Sequence, residues 1–525
     1  MLAYRAVHRG SIGAFRYLSF DASPQQGVEI FGGVERVVPA EALRTGKDDH
    51  VQIRRLPLVC LGHGRLSLAN KVNAHVHQVW LERGPTSEAI REANRSVKQC
   101  LSDMGAELGI VDYADVIDEC MAGQCAGASE TESNTYLYPL AMRVPGSQHI
   151  VDLLMKDALE ALPWWPAWQA GAKVMLQYLH NQGHRTFLQQ RIRQKANGQD
   201  VEGLIKDLQK TVERFAKWRW KTLDRAVKSL LRVEPAVRFA LSGVSDPGQL
   251  QLRDTDTAKK LTALAHSESF WGVASDLATS IKPIMEFSSW VKGCDCHEKE
   301  RMRGQSVQCK WAGCRAKRLS ARMETLQDDL LACRRVSFPL RTLTIEEQTN
   351  FMSRILGLMR LKFAWVAEPP FSIVGVATPA KAQEFIDKYD AMKVDGHAHH
   401  RVSDFFCGSG QMSLRSDMEA YARSGELSER LCIEIAAYGA IMLDDTWAEA
   451  VHKDVTSISR RGQYQTFAFR ASTLRLRQNI EFADATQGMA NGVAAMMKSW
   501  TAVVRRKQLP GNKIRAVIKP RQAIF

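Results

Sequence analysis

Short runs rich in aromatic and β-branched residues, separated by turn-forming residues, occupy the first third of the chain and predict β-strands. The first run is FRYLSF, which is expected to end at Asp21, before a turn-like ASPQQG. The second is VEIFGGVERVV, in which Gly32 and Gly33 indicate a bulge. Further strand candidates are IRRLPLVCLG, LGIVDYADVI and YLYPLAMRV.

Helical periodicity interrupts these strands and then dominates the chain. A helix is predicted at 67–81, and a second, capped by Thr86 or Ser87, is predicted to reach about Met104. From His149 onward, apolar residues recur at three-to-four spacing in segment after segment. The middle of the chain is therefore predicted to be mostly helical.

Two capping boxes mark helix starts in the second half of the chain. Thr344 is followed three residues later by Glu347, and Ser416 by Glu419. The second of these helices is expected to stop near Gly425.

The charge balance favours a polyanionic partner. The 71 Lys and Arg residues exceed the 57 Asp and Glu residues, which gives a formal net charge of +14. Nucleic acid and an anionic membrane surface are both compatible with such an excess. No run approaches the roughly 18 apolar residues that a membrane span requires, and no signal peptide is recognised. We therefore expect a soluble intracellular protein that does not enter a membrane.

Three acidic residues are candidates for a metal-dependent nuclease centre. Asp21 ends a predicted strand, Asp112 ends a later one, and Glu449 lies on a predicted C-terminal helix. In nucleases of the RNase H type, carboxylates from separate elements converge on two divalent metal ions. The alternatives to the second and third acids are Asp115, Asp444 and Asp445. Each acid alone is typical of an ordinary surface carboxylate.

Four blocks, in this order over about residues 10–480, resemble the hAT superfamily of DNA transposases. They are HIVDLLMKDAL, KWRWKTLDRAVKSLLRVEPAV, SFWGVASDLATSIKPI, and TWAEAVHKDVTSI followed by STLRLRQNIE. The resemblance implies an α/β RNase H-like core with a mixed sheet, interrupted by a large all-α insertion, in a chain that is helix-rich overall.

The same resemblance divides the chain into four parts. The first part of the core would occupy 1–150, and a helical insertion 151–432. C-terminal helices at 433–500 would complete the core, and 501–525 would form a basic tail.

The resemblance also implies function. Asp21, Asp112 and Glu449 would hold Mg²⁺ or Mn²⁺ for DNA strand cleavage and transfer, and Arg219 and Trp220 would contact DNA. A nuclear location, DNA as the partner and a homo-oligomer follow from the family. The other interpretation of Trp220 is that it packs on a helix face.

Several residues depart from the family pattern and predict a degenerate or domesticated relative. Gly146 stands where the family has a cysteine, and Tyr113 follows Asp112 in place of asparagine. Ala448 and Ala450 flank Glu449 in place of serine and arginine. No zinc-finger DNA-binding domain is recognised before the core.

A cluster of potential soft-metal ligands lies in the predicted insertion. The five candidates, which fall within 21 residues, are Cys294, Cys296, His297, Cys309 and Cys314. Thiolates and imidazoles grouped at two ends of a loop are suited to tetrahedral Zn²⁺. Reduced cysteines in a loop are the alternative.

Basic residues surround that cluster and predict a phosphate-binding surface. They are Arg301, Arg303, Lys310, Arg315, Lys317 and Arg318, of which the first four are the candidate contacts; the alternative is a solvated basic face. His397, His399 and His400 lie together without a convincing fourth ligand and are interpreted as a polar loop. A non-catalytic helical scaffold stabilised by structural zinc is the second functional hypothesis.

Overall fold

The computed structural model describes about half of the chain. The described residues are 14–25, 28–45, 51–55, 59–63, 96–102, 142–195, 201–210, 212, 221–243, 250, 255–294, 296, 314–335, 342–394 and 414–443. Most of them are helical, and the strands among them form one small mixed β-sheet. The predicted helix-rich chain with a mixed sheet is therefore confirmed at this level.

Six strands form the sheet. They are β1 (Ala14–Gln25), β2 (Val28–Pro39), β3 (Gln52–Arg55), β4 (Val59–His63), β5 (Val97–Ser102) and β6 (Met142–Pro145). The order is β3-β2-β1-β5-β6, and β4 also pairs with β2. Strand β2 is antiparallel to β1, β3 and β4, whereas β5 is parallel to both β1 and β6. The central strand β1 thus separates an antiparallel half from a parallel half.

The hairpin of β1 and β2 is longer than the sequence predicts. Strand β1 continues past Asp21 to Gln25, so that most of the predicted turn is extended strand. Asp21 pairs with Gly32 and Phe20 with Gly33 in an unbroken register, so the predicted bulge is wrong for this pair. Cross-strand pairing along the whole hairpin outweighs the turn preference of the ASPQ residues.

Residues 97–102 are a strand where the sequence predicts the end of a helix. Val97, Lys98 and Gln99 are all buried, because β5 lies between β1 and β6 with both faces covered. The Lys98 ammonium is 2.8 Å from the Glu434 carboxylate, and it lies over the ring of Tyr438. Two adjacent polar residues suggest a helix surface, but distant parts of the chain supply partners for both.

The described residues form thirteen α-helices. They are α1 (Ala40–Thr45), α2 (Ser147–Leu159), α3 (Trp165–His180), α4 (Gln182–Lys195), α5 (Val201–Gln209), α6 (Lys221–Leu241), α7 (Thr255–His266), α8 (Glu268–Lys292), α9 (Leu319–Arg335), α10 (Ile345–Lys362), α11 (Pro379–Val394), α12 (Leu414–Ser424) and α13 (Glu429–Tyr438). A 3₁₀ turn at Ala316–Arg318 leads into α9. The predicted borders at 150/151 and 432/433 fall inside α2 and α13, and the division into domains stays a prediction.

One predicted capping box is confirmed and the other is not. Thr344 accepts the backbone N–H of Glu347, whose carboxylate accepts the N–H of Thr344 in return. Ser416 lies inside α12, which begins at Leu414. The predicted stop of α12 is confirmed, because Gly425 has a φ of 74°, a backbone conformation that favours glycine.

The long helix α8 is the centre of the helical part. Fifteen of its residues are buried, including Trp271 and Phe287. Gln148 of α2 donates to the Ser288 carbonyl over 2.7 Å, which ties α8 to the helix that follows the sheet. Asp276 of α8 accepts the backbone N–H groups of residues 342 and 343, both at 2.8 Å, just before α10. None of the helices that the structure describes combines the length and apolar character needed to cross a bilayer.

A short segment after α13, residues 439–443, crosses one face of the sheet; we call it the crossing segment. Arg36 of β2 donates to the Ala440 carbonyl. Gln99 of β5 donates to the Met442 carbonyl over 2.6 Å and accepts the Met442 N–H over 2.7 Å. The Leu443 carbonyl accepts the backbone N–H of Ser147 at the start of α2. The segment is thus held by successive strands of the sheet and by the helix beyond them.

Replacement of Gln99 should loosen the crossing segment. In Gln99→Met the buried Met442 N–H and carbonyl both lose their side-chain partner, and an unpaired buried polar group costs about 1–3 kcal/mol. We expect the free energy of unfolding to fall by about 2–4 kcal/mol in urea denaturation. The control is Gln190→Met on the exposed side of α4, which should stay within about 0.5 kcal/mol of wild type. Equal losses in the two variants would contradict the role of Gln99.

Alkaline pH should destabilise the same region. Burial raises the pKa of both Tyr17 and Tyr438 well above the ordinary value near 10. Both hydroxyls therefore stay protonated in the folded state while they ionise in the unfolded state. The stabilisation is complete below about pH 10 and is lost as pH rises above it.

Denaturation from pH 8 to 11 measures this effect. The free energy of unfolding should decline above about pH 10, and the decline should be shallower in Tyr17→Phe, which has one ionisable group fewer. An unchanged slope in that variant would show that Tyr17 ionises equally easily in both states.

Candidate functional site

The carboxyl-terminal edge of the parallel strands is the first candidate site. Phe20 of β1 pairs with Ser102 of β5, which in turn pairs with Pro145 of β6. Asp21 is the next residue of β1 and pairs with Gly32 of β2. Asp21 therefore lies one residue beyond the last described pair of β1 and β5.

The order of the strands makes this edge a topological switch point. From β1 the chain turns to one side and forms β2, whereas from β5 it continues to β6 on the other side. In open α/β sheets, ligands bind in the crevice at the carboxyl ends of strands, where the strand order reverses. Asp21 lies at that position.

The crossing segment reaches the same edge from the other end of the sequence. Tyr17, four residues before Asp21 in β1, donates its hydroxyl to the Ala437 carbonyl over 2.7 Å. The segment ends with Leu443, bound over 3.0 Å to Ser147, which lies two residues after β6. The crossing segment therefore ends beside the carboxyl-terminal end of β6.

The sequence prediction of the second acid did not consider Asp103. Strand β5 ends at Ser102, level with Phe20, and the next residue in the sequence is Asp103, just as Asp21 follows Phe20. The sequence predicts a helix up to Met104, whereas residues 97–102 form β5, so the acid at the end of VKQCLSD directly follows a strand. Asp103 itself lies outside the described residues.

Many predicted site residues lie outside the described part of the chain. Among the acids and the DNA contacts these are Asp112, Asp115, Asp444, Asp445, Glu449, Arg219, Trp220, Arg301, Arg303 and Lys310. Among the metal-ligand candidates they are His297, Cys309, His397, His399 and His400. Their assignments stay predictions.

Three of the predicted metal ligands do come together. The Sγ atoms of Cys294, Cys296 and Cys314 all lie within 4.8 Å of one another, although Cys314 is far along the sequence from the other two. Cys294 is buried just after α8, Cys314 is half-buried before the 3₁₀ turn, and Cys296 is exposed. Three thiols at these separations are close enough to hold a metal ion.

Arg315, predicted to bind phosphate, makes contacts inside the protein. Its guanidinium donates to the Trp290 carbonyl in the last turn of α8 and lies 5.4 Å from the centre of the Trp290 ring. A cation there also suits the negative end of the helix dipole. The guanidinium lies so close to Gly293 that a Cβ atom at that position would overlap it. Arg315 thus caps α8 beside the thiol cluster.

Lys317 connects the thiol cluster to the crossing segment. Its side-chain stem packs against Gly439, where a Cβ atom would lie only 2.8 Å from it. Gly439 ends α13 and begins the crossing segment. The cluster and the sheet edge are therefore joined through one short stretch of chain around residues 314–318.

No protein-family model matches the chain, and a comparison with characterised proteins finds no significant relative. The hAT resemblance therefore stays a prediction from the sequence blocks that carry it.

Loss of the Arg315 cap should destabilise α8. In Arg315→Gln, the charge-assisted hydrogen bond to Trp290 and the contact with its ring disappear, and we expect a loss of about 1–2 kcal/mol in the free energy of unfolding. Arg318→Gln, which removes the same charge from an exposed position in the same turn, should lose less than about 0.5 kcal/mol. Equal stability of the two variants would contradict the capping role.

Proposed function

We propose that this protein is a hAT transposase-like nucleic-acid-binding protein, built on an RNase H-like core whose carboxylate edge is suited to metal-dependent DNA strand cleavage. The carrying observation is the convergence of two distant parts of the chain on one sheet edge. Asp21 lies there at a switch point, and the crossing segment, from the other end of the described chain, ends at Leu443 beside Ser147 just after β6.

The topology of the sheet supports the RNase H-like core. A central strand with an antiparallel hairpin on one side and parallel strands on the other is compatible with the mixed sheet that the resemblance implies. A core closed by a C-terminal segment, with many helices in between, is also compatible with a long insertion.

Carboxylates at this edge suit hard divalent cations. Oxygen donors are the ligands that Mg²⁺ and Mn²⁺ prefer. Asp21 is one such donor, Asp103 or Asp112 is proposed as the second, and Glu449 as the third. Two bound ions would activate the attacking hydroxyl and stabilise the leaving oxygen.

Asp103 is the stronger proposal for the second acid. It directly follows Ser102, the last residue of β5 and the neighbour of Phe20. Asp112 is nine residues further along the sequence, outside the described part of the chain.

The excess of basic residues supports DNA as the partner. A net charge of +14 favours polyanions through release of counterions from phosphates. By analogy with the family, the proposed assembly is a homo-oligomer bound to DNA in the cell nucleus. The departures at Gly146, Tyr113, Ala448 and Ala450 favour a degenerate relative that binds DNA and cleaves it with reduced activity.

A non-catalytic helical scaffold is the second proposal. The convergence of Cys294, Cys296 and Cys314 favours it, because a structural metal ion would serve such a scaffold whether or not the sheet edge is active.

A nicking assay with the full chain tests the main proposal. Supercoiled and hairpin DNA would be incubated with Mg²⁺ or Mn²⁺ and with the protein, its Asp21→Asn variant and its Glu449→Gln variant. We expect metal-dependent nicking by the wild type and a decrease of at least about 100-fold in both variants, since each removes a proposed metal ligand. The control, Asp207→Asn on α5, should retain full activity.

The same assay separates the candidates for the second acid. Asp103→Asn should abolish nicking while Asp112→Asn leaves it intact; the reverse result would restore Asp112. Salt-dependent DNA binding without nicking would support the binding-only form, and the absence of both activities would overturn the proposal in favour of the scaffold.

A further inference from the structure

The thiol cluster stands apart from the proposed carboxylate edge in its chemistry. Thiolates are soft ligands that select zinc over magnesium or manganese. In tetrahedral zinc sites the sulfur atoms are about 3.8 Å apart, since zinc–sulfur bonds are about 2.3 Å long. The separations among Cys294, Cys296 and Cys314, all within 4.8 Å, are compatible with that geometry before any ion draws the sulfur atoms together.

The cluster lies at a joint between two helices. Cys294 comes two residues after the end of α8, and Cys314 comes two residues before the 3₁₀ turn that leads into α9. Residues 297–313 connect these two points, so the thiols close a loop at its base. Closing a loop of this length by a metal ion stabilises the folded state in the way that a cross-link does.

Side chains next to the cluster contact both the end of α8 and the crossing segment. Arg315, next to Cys314, is held against Trp290 and Gly293 at the end of α8. Two residues later, Lys317 packs on Gly439, the first residue of the crossing segment. The position of residues 314–318 therefore bears on both the end of α8 and the beginning of the segment that crosses the sheet.

We propose that Cys294, Cys296 and Cys314 bind a structural zinc ion that fixes the α8–α9 joint and, through Lys317 and Gly439, supports the docking of the crossing segment. His297 and Cys309 are the sequence candidates for a fourth ligand. The site is a folding element, so it holds equally for a cleaving, a DNA-binding or a scaffolding protein.

Metal analysis of the full chain tests the site. Protein purified without an affinity tag and under reducing conditions should contain one zinc ion per chain, measured by elemental mass spectrometry and by release to a chromogenic chelator. Cys294→Ser and Cys314→Ser should lose most of the metal. Cys432→Ser, at an exposed cysteine of α13 outside the cluster, should keep it. Zinc affinity is also measured for His297→Asn and for Cys309→Ser. The variant with the lower affinity identifies the fourth ligand.

A measurement on the wild-type protein avoids variants that fail to fold. Chelation of the zinc should lower the thermal midpoint and increase amide hydrogen exchange at residues 437–443, and added zinc should restore both. Cobalt substitution should produce a thiolate-to-cobalt charge-transfer band.

Three results would overturn the proposal. They are wild-type protein without zinc, a zinc content that the cluster variants leave unchanged, and a disulfide between two of the three cysteines in the reduced preparation. Zinc with unchanged exchange at 437–443 would overturn the support of the crossing segment. None of these readouts depends on nicking, so failure of the zinc site and failure of the carboxylate centre are distinguishable.

Discussion

The docking of the crossing segment and the end of α13 on the sheet is the interaction that joins the two ends of the described chain. Tyr17, Arg36 and Gln99, from three neighbouring strands, donate to the carbonyls of Ala437, Ala440 and Met442. These side chains are buried, so their hydrogen bonds form where water does not compete. The last described part of the chain is thereby attached to the first, with the helical middle between them.

Buried polar contacts make this docking specific. An apolar segment could slide on an apolar sheet, whereas each donor here requires a carbonyl at one position. Gln99 illustrates the point, because it both donates to and accepts from Met442 and so fixes that residue in both directions. A shift of one residue would leave buried groups unpaired at a cost of about 1–3 kcal/mol each.

The two candidate sites share this segment. Its far end, at Leu443, lies at the sheet edge beside the start of α2, and its near end, at Gly439, lies under the stem of Lys317. The proposed zinc joint and the proposed carboxylate centre would therefore be linked through five residues of backbone. Arg315 and Lys317 lie at this link. Their charges suggest a phosphate-binding surface, but both side chains make intramolecular contacts.

Local pattern was sufficient for several elements of the structure. The apolar periodicity of the middle of the chain, the capping box of Thr344 and Glu347, and the stop at Gly425 depend on neighbours within a few residues, and the sequence predicts all three. The clustering of cysteines at two ends of a loop likewise indicated a common site, of which three members converge.

The strand conformation of β5 depended on tertiary structure, because Lys98 and Gln99 are stabilised by Glu434 and Met442, more than 330 residues away in the sequence. Without those partners VKQCLS resembles the end of a helix. Short-range sequence thus determined the helices and the thiol cluster, whereas only the folded chain decided which strand lies beside Asp21, since buried polar residues reveal their structure only through the distant groups that pair with them.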